Sequence, residues 1–341
     1  VFSPLPSESE GWVKLEGSFE AERSEDGGLE LFFEGEGDLD VDFVSLTPQN
    51  THGYGSEEWK YVTLRQDLFD ALDELDPSFI RFPGGCLAEG DDLDDLFDWK
   101  NTIGPLEERR HSNNIWRYDE NGRHYGNTYS LGYHEYFQLC EDLGALPLPI
   151  LNVGMICQFQ FDPGYRNTQK DYRAGRMSEE EWNAYLDSFA YAPGSEEYEE
   201  YTQNILDLLD YALASPADNE WAALRAENGH PEPFDLRYLG LGNENWGDVY
   251  WRNFEPLYNA VKAYCAQKGY DVKIISSASY QFTGEYIDES WEIINEKYTD
   301  TLVDEHYYTS GNALFKNNDR YDNYERTGAE VFVGEYAATC W

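Results

Sequence analysis

From Pro48 onward, short apolar runs alternate with longer segments whose apolar residues recur at helical spacing, and few folds accept that rhythm. A strand, a helix and a further strand in steady alternation make parallel βα units, so the pattern predicts an α/β domain. Strands are expected at residues 79–82, 148–153, 236–241, 272–277, 302–306 and 331–335. Helices are expected at residues 62–75, 133–143, 198–213, 254–267 and 291–298. Gly144 stands where a C-cap glycine belongs, and Asp76-Pro77 closes the first helix. Six strand–helix steps without a sequence repeat fit a β/α barrel better than an array, although a closed barrel of the TIM type has eight strands. The expected fold is therefore an incomplete (β/α)8 barrel over residues 46–341, with about six of its eight strands.

Residues 1–45 follow a different rhythm. The runs Val13–Phe19 and Leu29–Phe33 alternate apolar and polar side chains between Gly-rich acidic turns, which is antiparallel sheet patterning. About four strands fit there, thin for an independent sandwich. This segment is expected to be part of a β-sandwich, and the chain to be a fragment cut at both ends.

Charge narrows the list of partners. The chain has 67 Asp and Glu against 24 Lys and Arg, a formal charge of −43, which repels nucleic-acid phosphates and anionic headgroups alike. Neither nucleic acid nor a membrane is an expected partner, and no apolar stretch approaches the ~20 residues of a membrane span. No basic-then-apolar signal segment opens the sequence. A spread of acidic residues suits a salty or extracellular setting; compartment and oligomeric state are not encoded. The five cysteines, Cys86, Cys140, Cys157, Cys265 and Cys340, form no CxxC pair, so neither a zinc site nor a disulfide framework is indicated and no metal or cofactor is expected. Cys140 and Cys265 fall in helical patterns and read as small buried residues.

Three long connections, residues 86–131, 155–197 and 309–326, would lie at the carboxyl ends of barrel strands, where active sites are built. They hold Trp99, Trp116, Tyr118, Phe159, Phe161, Tyr165, Trp182 and Tyr191. Two readings stay open: a cleft walled by rings on which sugars stack, or packing beneath the loops.

Two segments carry chemistry. Leu239-Gly240-Leu241-Gly242-Asn243-Glu244-Asn245-Trp246-Gly247 is an apolar strand ending in a polar cluster, and Val331-Phe332-Val333-Gly334-Glu335-Tyr336 is another that ends in Glu. Alone, Glu244 could cap the next helix, and the Glu335 segment would be a weak signal. As a pair at the mouths of two strands of one barrel, they supply what cleavage of a glycosidic bond needs: an acid to protonate the leaving oxygen and a carboxylate to attack the anomeric carbon. A separation of about 5–5.5 Å implies retention of configuration, because no water fits between nucleophile and sugar. Metal-dependent hydrolysis through Asp304, Glu305 and His306 fails on geometry, since neighbours in a strand point to opposite faces.

The ordered motifs Arg81-Phe82-Pro83-Gly84-Gly85-Cys86, Trp99-Lys100, Ile103-Gly104-Pro105, Gly132-Tyr133-His134-Glu135, Gly242-Asn243-Glu244, Asp304-Glu305-His306-Tyr307-Tyr308 and Gly334-Glu335-Tyr336 resemble those of family 51 glycoside hydrolases, chiefly α-L-arabinofuranosidases. The match runs in unbroken order from about Val44 to the end of the chain. It implies that Glu244 is the general acid/base and Glu335 the nucleophile, with Asn243 bonding the sugar's 2-hydroxyl. Tyr308 would position the nucleophile with His306 beside it, Cys86 would meet the sugar, and Trp99 and Trp246 would line the pocket. The resemblance also makes residues 1–45 a carbohydrate-binding-like segment. It leaves the family's first and eighth barrel strands unaccounted for, and on that ground the isolated chain is expected to be weakly active or inactive. The substrate implied is an arabinose-containing polysaccharide, arabinan or arabinoxylan, trimmed from its non-reducing ends. Two other readings remain: a different two-glutamate barrel hydrolase, such as an endo-glucanase or β-xylosidase, and a catalytically silent carbohydrate-binding protein.

Overall fold

The computed structural model describes residues 11–23, 25–116, 126–162 and 164–339. The chain divides into two units, Val1–Leu46 and Thr47–Trp341. The division falls beside the boundary drawn from the sequence. In the first unit the expected antiparallel strands are not formed: its described residues contain neither strand nor helix, and its apolar side chains, Trp12 and Phe32 among them, are exposed. Alternation specifies which face of a strand is apolar, but a strand exists only where a neighbour completes its ladder, and the described residues there form none.

The second unit is built on six parallel strands: β1 (Phe79–Phe82), β2 (Leu146–Leu151), β3 (Tyr238–Leu241), β4 (Lys273–Ser277), β5 (Leu302–Thr309) and β6 (Glu330–Ala338). They pair in chain order from β1 to β6. In a flat sheet the two end strands would stand about 24 Å apart, five gaps of roughly 4.8 Å. Instead Phe79 of β1 and Phe332 of β6 meet edge to face, 5.5 Å between ring centroids. Arg81 of β1 also reaches Glu335 of β6 at 2.8 Å. The sheet therefore curls nearly into a closed barrel, as its twist and the TIM-type topology require.

Period-two alternation sorts the side chains. Leu148, Ile150 and Ile275 fill the interior with Ala88, while Leu151, Leu239, Leu241, Ile274 and Val303 face the surrounding helices. Gly240 is required by close approach, because a Cβ there would lie 2.2 Å from Ile150 Cδ1.

Nine helices are described: α1 (Gln66–Asp73), α2 (Tyr133–Asp142), α3 (Gly164–Arg173), α4 (Glu179–Leu186), α5 (Glu196–Leu213), α6 (Glu220–Glu227), α7 (Gly247–Lys268), α8 (Glu285–Lys297) and α9 (Gly311–Lys316). The first expected helix starts later than residue 62, because Leu64–Arg65 pairs antiparallel with Thr51–His52. Ser178 opens α4 with a capping box, and Gly269 ends α7 in the left-handed conformation, φ 76°. None of the described helices is long and apolar enough to cross a membrane.

The long connections are largely packed. Trp99, Tyr165 and Trp182 are buried in the main core, with Phe161 and Tyr191 half-buried against it. Trp116 and Phe159 are exposed and lie 6.2 Å apart, while Tyr118 and Cys340 fall outside the described residues.

Candidate active site

The carboxyl ends of β1, β3, β5 and β6 bring an arginine, a histidine and several carboxylates together. Arg81, the only charged residue of β1, has its side chain 7 % exposed. Its guanidinium donates to Glu335 Oε1 at 2.8 Å, Asn243 Oδ1 at 2.8 Å and Asp304 Oδ2 at 3.1 Å. A planar fork with fixed donors is suited to holding oxygens from three strands in one geometry.

Glu244 lies just past β3, where the chain turns sharply. Gly242 has φ 97°, and a Cβ there would lie 2.7 Å from both Asn245 and Tyr250; Glu244 itself adopts φ 54°. A non-glycine residue in that region is held by its surroundings, as at many functional turns. Asn245 Oδ1 fixes the turn by accepting from the Asn243 backbone N–H at 2.9 Å. Asn243 is buried, and since its Oδ1 is committed to Arg81, its Nδ2 is left with no partner among the described residues. A buried donor of this kind is costly unless a ligand uses it.

Across from Glu244, Glu335 accepts from the Tyr308 hydroxyl at 2.8 Å as well as from Arg81. Gly85 borders it closely: a Cβ there would stand 2.9 Å from Glu335 Oε1. His306, 1 % exposed, lies between the two glutamates, with Nδ1 at 2.9 Å from Glu244 Oε1 and 3.6 Å from Glu335 Oε2. Its Nε2 is 3.3 Å from Asp304 Oδ2. Burial disfavours a charged imidazole, but hydrogen bonds to Asp304 and Glu244 and the charge of Glu335 outweigh it and lift His306 to about 9. One donor atom each of Glu244, His306 and Glu335 lies within 4.8 Å of the others. That spacing could surround a cation, but the Arg81 guanidinium and a protonated His306 already supply positive charge there.

Of the residues singled out in the sequence, Glu244, Glu335, Asn243, His306 and Tyr308 meet at this cleft. Two do not open onto it. Trp99 is 1 % exposed, donates its indole N–H to the Asn204 carbonyl and packs on Tyr211 and Trp221; a fully enclosed ring has no face left for a sugar. Trp246 is equally buried, stacked on Tyr286 at 3.8 Å. Cys86 occupies the 3-10 turn after β1 and is half-buried. Arg81 and Asp304 stand in the sequence as motif letters without a role; a lone arginine in the apolar strand Phe-Ile-Arg-Phe is the signal available for the first. Asp304 and His306 point to the Arg81 side of β5, while Glu305 faces outward to Trp291, Tyr324 and Arg320, as strand alternation requires.

The profile of the alpha-L-arabinofuranosidase 1 domain matches residues 71–326, about three-quarters of the chain. The chain belongs to the α-L-arabinofuranosidases of glycoside hydrolase family 51. An extracellular exo-alpha-L-arabinofuranosidase of Streptomyces chartreusis is 34% identical over 340 residues, 96% of this chain and 36% of the relative. Alpha-L-arabinofuranosidase 1 of Arabidopsis thaliana is 32% identical over 96% of this chain and 40% of its own. Among solved structures, an arabinose-bound α-L-arabinofuranosidase of family 51 matches with a TM-score of 0.57 and 28% identity, covering 81% of this chain and 36% of that one. This family 51 chain thus spans well under half the length of the relatives it matches.

Proposed function

We propose that the protein is a retaining glycoside hydrolase that releases terminal non-reducing α-L-arabinofuranosyl residues from arabinose-containing polysaccharides such as arabinan and arabinoxylan. The carrying observation is the approach of Glu244 and Glu335, whose donor oxygens lie within 4.8 Å of each other across the cleft. That spacing suits the two-carboxylate arrangement of retaining enzymes, at about 5–5.5 Å, and leaves no room for an intervening water. The Streptomyces relative is named as extracellular and exo-acting, which supports terminal release and a secreted setting for this protein.

Glu335 attacks the anomeric carbon while Glu244 gives its proton to the leaving oxygen, and the bond to the departing sugar breaks. The covalent glycosyl-enzyme neutralises Glu335. Glu244, now a carboxylate, takes a proton from water, which displaces Glu335 and restores both groups. Arg81 and the Tyr308 hydroxyl hold the two oxygens of the nucleophile in place. The free Nδ2 of Asn243 is set to donate to a sugar hydroxyl, a bond that strengthens as charge develops on the ring.

The test is proton NMR of an aryl α-L-arabinofuranoside during turnover by the purified protein. The α-anomer is expected as first product, with Glu335→Ala inactive and aryl β-xyloside untouched. A β-configured first product, or preferential cleavage of the xyloside, would reject the reading.

A further inference from the structure

We propose that Cys86, Glu89 and Cys157 form a binding site for a soft divalent cation of the zinc class, beside the catalytic cleft and separate from its glutamates. One ligand atom from each of the three lies within 4.8 Å of the others. A tetrahedral zinc ion with bonds of about 2.3 Å needs its sulfurs about 3.8 Å apart, so adjustments of about 1 Å would close the three donors on an ion. Two sulfurs and one carboxylate are a donor set that favours zinc over calcium or magnesium.

The surroundings are those of a built site. Cys86 and Glu89 lie on one 3-10 turn after β1, closed by the Glu89 backbone N–H bonding to the Cys86 carbonyl at 3.1 Å. Cys157 arrives from the loop after β2, clipped to that turn by its backbone N–H on the Gly90 carbonyl at 3.0 Å. Glu89 is 0 % exposed. Its Oε1 accepts from Asn245 Nδ2 at 2.6 Å, while Oε2 has no hydrogen-bond partner among the described residues. One oxygen anchored and the other left over is the arrangement expected of a ligating carboxylate with its supporting amide in place. Cys157 is 4 % exposed and Cys86 half-buried, so the cluster reaches solvent through Cys86.

The site would tie the turns after β1 and β2 to the Asn243–Asn245 bend, since Asn245 holds both Glu89 and the Asn243 backbone. No CxxC spacing marks it, because one sulfur comes from each of two loops.

Cobalt(II) is the probe. The purified protein, stripped of metal, is expected to take up one equivalent with the near-ultraviolet absorption of thiolate-to-cobalt charge transfer. Cys157→Ser should lose that absorption, and Asn245→Ala should weaken binding on the order of tenfold. A second measurement needs no variant: zinc should slow iodoacetamide alkylation of Cys86 and Cys157 on the order of tenfold while leaving Cys140 and Cys265 unchanged. Absorption that persists in Cys157→Ser, alkylation indifferent to zinc, or a metal-free protein whose two thiols are already joined in a reductant-sensitive disulfide would each overturn the proposal.

Discussion

Tyr308 is half exposed, yet its hydroxyl donates to the carboxylate assigned as nucleophile. A hydrogen bond to a charged group is worth about 1.5–3 kcal/mol, so Tyr308→Phe should lower kcat roughly ten- to hundredfold with little change in stability. Steady-state kinetics on an aryl arabinofuranoside would measure it, and an unchanged kcat would remove Tyr308 from the mechanism. His306 makes a prediction of the opposite kind. Its ordinary value of 6.5 is raised to about 9 in the fold, so the stabilisation it brings is fully present below pH 6.5 and is lost as pH climbs through 9. The unfolding midpoint of the native protein should fall across that window, and His306→Gln should flatten the fall; parallel profiles would contradict this. Both residues are legible in the sequence because they share a strand with the motif that carries them. Cys157 is not, and Arg81 is marked only by its place in an apolar strand: the role of each comes from convergence with partners far along the chain, which no local spacing encodes.

Elements follow from pattern where burial is one-sided or complete. Strand β1 begins and ends at the residues expected, and the other five overlap their expected positions, because apolar runs bounded by turn residues leave little choice. Helices α3, α4, α6 and α9 escape the sequence reading within stretches rich in charge and Gly, although Ser178 with Glu181 is a readable start signal for α4. The alternating residues before Leu46 fail the other way, since pattern without a ladder partner makes no strand. The connection from β1 to α2 depends on a buried pair that the motif letters alone do not explain. Arg109 binds both oxygens of Glu135, at 2.6 and 2.9 Å, and also the carbonyls of Gly104 and Tyr129. Glu135→Ala would strand a guanidinium whose side chain is 0 % exposed, and should cost about 3–5 kcal/mol in denaturant unfolding. A loss below about 1 kcal/mol would mean that the carbonyls alone satisfy Arg109.

For the molecule as a whole, 67 acidic residues against 24 basic ones put the folded chain under self-repulsion that no set of local ion pairs removes. Added monovalent salt, which shortens the reach of these charges to about 10 Å at 0.1 M, should raise the unfolding midpoint. Calorimetry across a sodium chloride series would check it; a midpoint that falls with salt would show that the specific pairs dominate the repulsion. Arg81 joins the two outermost strands of the curled sheet and, with the same side chain, grips Glu335. Architecture and reactivity are thus wired through a single guanidinium. Any relaxation that lets the first and last staves drift apart also slackens the grip on the attacking oxygen, so turnover should fade before the scaffold visibly melts.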